Sequence, residues 1–183
     1  LLTGIGSVTT SINLIVTILY LRIKNMRLNK LPLFVWMVLV NSFLLLAAFP
    51  SLNAALAMLL MDRQFHAHFF NTANGGSALL WQHLFWIFGH PEVYIVILPP
   101  FGILSEVFPV FSRKPIFGYS FIAASSVAIA LLAFGVWAHH MFAVGLGNTV
   151  DSFFSASSML IGIPTGVKIF NWLATMYGGK IRF

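Results

Sequence analysis

An all-α transmembrane bundle of five long helices is what this chain should form, and three features lead there. First, only 8% of its 183 residues are charged, 59% are hydrophobic, and the mean hydropathy is +0.92. Soluble domains carry about 25% charged residues, so a water-facing surface cannot be built from this composition. Second, the apolar residues gather into five runs, and about 20 helical residues suffice to cross a bilayer core. Third, all the basic residues but Lys168 fall outside the runs rather than on one face. That pattern fits membrane topology and speaks against a nucleic-acid partner, despite a net charge of +6. Helices are expected because lipid offers no partner to an open backbone group. A β-barrel would alternate in segments of about ten residues, and these runs do not alternate. There is no cysteine, hence neither a disulfide nor a thiolate metal site.

The first run, 4–21, ends at a connection holding Arg22, Lys24, Arg27 and Lys30. The second, 31–61, ends at Asp62 and Arg63. After it come "FHAHFF", whose His66 and His68 read as surface residues, and "NTANGG" at 71–76, which reads as a turn. The third run, 78–108, is followed by Arg113 and Lys114. The fourth, 115–145, leads into a connection with no Lys or Arg. The fifth, 152–178, precedes Lys180 and Arg182. The last four runs exceed the minimum span, so tilted or kinked helices are expected. By the positive-inside rule the first and third connections and the tail face the cytoplasm, and the third helix runs inward. The chain shows no signal-peptide pattern and starts at Leu1 rather than Met, which reads as a segment of a longer protein.

Polar residues inside these runs carry the functional signal. In "WIFGHPEVYIVILPP" the third run holds His90, Glu92 and Tyr94. At 1.5 Å per residue His90 lies about 18 Å from the outer end, with Tyr94 one turn deeper on the same face. His139 and His140 sit near the outer end of the fourth run. Three imidazoles at one level suit copper, zinc, iron or nickel. Below them Thr165, Lys168 and Ser105 form a polar ladder with Tyr94. Intramembrane ionisable residues such as Glu92 and Lys168 are functional candidates by default. Each also has a plainer reading. A lone histidine packs by hydrogen bonding; Lys168 snorkels or pairs with Glu106; Ser105 and Thr165 bond back to their own helix; Trp86 and Trp137 are core; Pro91 and Pro164 are kinks.

Taken together, "WIFGHPEVY", "VWAHHMF" and "IPTGVKIFNWLATMYGG" resemble subunit I of the haem-copper terminal oxidases, the catalytic subunit. The resemblance runs over essentially the whole chain and implies the fourth to eighth of about twelve helices. It implies that His90, His139 and His140 ligate copper, and that Tyr94 is covalently joined to His90 and supplies a proton and an electron. Glu92 would top one proton route, Lys168, Thr165 and Ser105 would line another, and Trp86 and Trp137 would pack around copper and haem. The haem iron ligands would lie outside this chain, so the segment alone is expected to be inactive. The implied function is reduction of dioxygen to water, coupled to proton uptake and pumping. Its implied surroundings are a bacterial inner membrane, other oxidase subunits, and cytochrome c as electron donor, with quinol as the alternative. A proton-coupled transporter using Glu92 and Lys168 is the competitor from another class.

Overall fold

The computed structural model describes residues 1–182. It is all-helical: α1 Leu2–Tyr20, α2 Leu33–Phe65, α3 Ala78–Ser112, α4 Tyr119–Ala133, α5 Asn148–Leu160 and α6 Gly162–Met176. A 3-10 segment, Trp137–Val144, joins α4 to α5. By length and composition five stretches can cross a membrane: α1, α2, α3, Tyr119–Val144 and Asn148–Met176.

Local chemistry sets several ends. Ser77 opens α3 by accepting from Leu80 N at 3.2 Å, which satisfies one free amide of the first turn. Arg113 closes it in the left-handed region at φ 52°. The turn at 71–76 forms as expected, with Asn71 Oδ1 accepting from Ala73 N and Gly75 at φ 86°. The Asp62 carboxylate accepts from Phe69 N at 2.6 Å and Phe70 N at 2.8 Å, folding the connection back onto α2. His66 and His68 are exposed there. Pro91, Pro99, Pro100 and Pro109 all lie inside α3, which stays helical through them, as neighbouring helices allow in a membrane.

The two C-terminal runs differ from expectation. The α-helix of the fourth run stops at Ala133, and a 3-10 segment carries His139 and His140. The freed Gly135 carbonyl accepts from Ser157 Oγ at 3.0 Å, so α5 stabilises the break. The fifth run is two helices, parted at Ile161 just before Pro164. Pro164 removes an amide donor from the first turn of α6, where that loss costs little.

Lipid supplies no hydrophobic drive between helices, so close packing and internal hydrogen bonds must hold them. The seams accordingly use small residues: Ala48, Ala55, Ala133, Ser42 and Ser126 are all essentially inaccessible. At Gly102 a Cβ would stand 2.8 Å from Phe34 Cα, so α2 and α3 touch there because α3 has no side chain. The turn before α4 docks on α6: Phe117 N donates to Thr175 Oγ1 at 2.9 Å, and Asn171 packs against Gly118. The core joins Leu33, Met37, Val40 and Leu44 of α2 to Leu98 of α3, Ile122 of α4 and Trp172 of α6. This packing fixes α3 as the rod against which the 3-10 segment is laid.

Candidate metal centre

The structure brings His90, His139 and His140 together. One ring nitrogen from each lies within 4.8 Å of the others. His140 Nε2 is 3.2 Å from His90 Nδ1 and 3.1 Å from His139 Nε2. Metal–nitrogen bonds of about 2.0–2.1 Å at tetrahedral angles would set nitrogens about 3.3 Å apart. The observed edges therefore match a coordination shell.

Hydrogen-bond accounting points the same way. Ser158 Oγ donates its one hydrogen to the Phe154 carbonyl, and it lies 2.7 Å from His139 Nδ1. With its hydrogen committed, the hydroxyl can only accept from His139, so His139 carries its proton on Nδ1 and presents a lone pair at Nε2. His140 Nε2 then faces two nitrogens with at most one hydrogen of its own. A cation satisfies all three lone pairs at once, and imidazole nitrogens with an oxygen-anchored second nitrogen are the usual metal-ligand pattern. The donor set fits copper.

The 3-10 geometry explains how two adjacent residues both reach the centre. Successive side chains turn about 120°, and residues three apart eclipse. His140 therefore shares a side with Trp137, facing α3, while His139 reaches Ser158 of α5. Trp86 stacks on His140 at 4.0 Å between centroids and 7° between planes. His90 is buried, and Tyr94 one turn below places its ring 5.0 Å from the His90 ring. The His90 nitrogen turned away from the trio, Nε2, is buried and has no hydrogen-bond partner among the described residues. His140 is exposed, so one side of the centre opens onto the surface of this chain.

The other expected site residues disperse. Trp137 packs on Phe154 and donates to His83. Glu92 is exposed on the far face of α3, in a groove with Val93, Val96, Ile97 and Pro100, because i+2 on a helix points away from i. Lys168 is fully buried, yet it does not pair with Glu106. Its Nζ bonds Ser126 Oγ, the Ile122 carbonyl at 3.1 Å and, weakly, Met37 Sδ at 3.8 Å. Glu106 instead accepts from Phe34 N at 3.3 Å, close to the start of α2. Thr165 bonds back to the Ile161 carbonyl, and Ser105 bonds Phe101 O and accepts from Trp172 Nε1. Ser158, His83 and Ser126 escaped the sequence reading. Only the serine-rich stretch "FSASS" offered a signal for the first.

The whole chain, residues 1–183, matches the family model "Cytochrome C and Quinol oxidase polypeptide I". It is 52% identical over 182 residues to cytochrome c oxidase subunit 1 of Bacillus sp. (strain PS3), covering 100% of this chain and 30% of that protein. It is 54% identical over 180 residues to quinol oxidase subunit 1 of Bacillus subtilis (strain 168), covering 98% of this chain and 28% of that protein. The chain spans less than a third of the length of these relatives. A centre of three converging imidazoles on a multi-pass helical bundle thus has its family: this chain belongs to the cytochrome c and quinol oxidase polypeptide I proteins, the haem-copper oxidase subunit I family, whose members bind haem and copper.

Proposed function

We propose that this chain forms the copper half of a dioxygen-reducing centre in a respiratory terminal oxidase of a bacterial cell membrane. The observation that carries the reading is the trio of facing nitrogens on His90, His139 and His140. When bound, copper together with a haem held by the rest of the subunit would supply the electrons and the binding face for dioxygen.

The residues of this chain do the rest. His139 enters as the Nδ1–H tautomer held by Ser158, which leaves Nε2 for the metal. Trp86 fixes the plane of His140. The Tyr94 phenol lies one turn below His90, so it holds its proton beside the centre and can release it there together with an electron. The unpartnered His90 Nε2 is the nitrogen free to carry the covalent link to Tyr94. Lys168 receives protons from the inner side and waits on Ser126 and the Ile122 carbonyl. Thr165, one turn away on α6, and Ser105 serve the same route. Glu92 serves the second route on the opposite face of α3. We assign proton pumping to the assembled oxidase.

The donor is cytochrome c, supplied through other subunits. Quinol is the second reading, favoured by relatives named quinol oxidase subunit 1 at 54% identity. The nitrogen cluster weighs against a proton-coupled transporter, which has no use for three converging imidazoles. The test is His139→Ala in the full-length oxidase. Copper per haem should fall and oxygen reduction should stop. Undiminished copper per haem would exclude His139 as a ligand.

A further inference from the structure

We infer that His83, which is no ligand, is a positioning residue that sets the 3-10 segment of His139 and His140 against α3; the inference rests on the copper reading above. His83, Trp86 and His90 follow one another on a single face of α3, at i, i+3 and i+7. Each meets the segment. His83 Nδ1 accepts from Trp137 Nε1 at 3.2 Å, with the rings 6.4 Å apart and edge-on. Trp86 stacks on His140. His90 meets both His139 and His140. Trp137 and His140 are three apart, and the 3-10 turn eclipses them, so one side of the segment faces one side of α3.

The hydrogen bond is directional. An indole N–H only donates, so His83 must present a lone pair at Nδ1 and keep its ring neutral, with the hydrogen on Nε2. That lone pair is committed to Trp137 and lies outside the trio. Trp137 begins the segment, two residues before His139, so an anchor there fixes where the ligand pair starts. On the opposite side α5 supplies Ser157 to the Gly135 carbonyl and Ser158 to His139. The segment is clamped between two helices, and His83 is the polar tooth of the α3 jaw.

The test uses the complete oxidase with its partner subunits. Four variants are compared with the native protein: His83→Leu, His83→Asn, Trp137→Phe, and the double substitution H83L/W137F. The readouts are copper per haem and the rate at which a chelator removes copper. Loss of a group bonded directly to a ligand typically costs 10–100-fold in metal affinity; His83 and Trp137 act one step further out, so His83→Leu and Trp137→Phe should each speed copper loss at the low end of that range, about tenfold. His83→Asn keeps an acceptor near the Nδ1 position and should restore retention to within about threefold of native. The double variant should lose copper no faster than either single, since both remove one bond. Native retention in His83→Leu overturns the inference, as do multiplying effects in the double variant or no rescue by the asparagine variant. Should His83→Leu fail to accumulate, Trp137→Phe reads the same bond from its other end. A native protein without copper would overturn ligation and positioning together. Copper lost in His139→Ala but held normally in both His83→Leu and Trp137→Phe would overturn positioning alone.

Discussion

Single atoms decide most of the chemistry here. Ser158 has one hydrogen, and giving it to Phe154 forces the tautomer of His139. Ser158→Ala should therefore lower copper affinity about tenfold or more while the fold persists, as read by chelator competition. Unchanged affinity would mean that the tautomer is set elsewhere. Tyr94→Phe keeps ring and helix but removes the phenol, and turnover should stop with copper and haem retained. A fully active variant would rule out the phenol as donor. Lys168→Met removes a buried amine whose described partners are all uncharged. Reduction of the catalytic centre should slow by orders of magnitude with both metals in place, as followed by haem absorbance after adding reductant. Normal reduction would take Lys168 out of the proton route.

Elements obey coarser rules, and these show what could be read ahead of the structure. The apolar runs and their spacing gave the helices, because burial in lipid leaves the backbone no other choice. The histidine trio was legible because His90 and the adjacent pair fall at one depth in neighbouring runs. The break after Ala133 was not legible. Gly135 is the weakest helix former beside it, and the freed carbonyl is met by Ser157, which lies 22 positions further along. The site of Lys168 was equally hidden, since Ser126, Ile122 and Met37 come from two other helices and carry no pattern of their own. Glu92 read as the top of a proton route, and helical pitch sets it on the face of α3 away from the histidines. The close approach at Gly102 yields a prediction at this scale: Gly102→Val should force α2 from α3 and cost about 1–3 kcal/mol, seen as a lower unfolding midpoint in detergent. An unchanged midpoint would show that the seam has slack.

At the scale of the molecule, the alternation of charged connections orients the five spans. The chain has no cysteine, so single introduced thiols report sidedness directly. In intact cells a membrane-impermeant maleimide should label Asn74→Cys and spare Asn29→Cys. The reverse pattern would invert the bundle and put the proposed proton routes on the wrong side. The family match extends over the whole chain, yet the chain spans under a third of its relatives. Much of its outer face, including Glu92 and His140, is accordingly exposed here. The proposed metal ligands and their braces, by contrast, all fall between His83 and Ser158, in two helices, α3 and α5, and the 3-10 segment. During synthesis, then, a ribosome will have delivered every proposed copper-binding part of this segment before α6 is inserted. On the proposed reading, copper capture can precede insertion of the helix that carries Lys168.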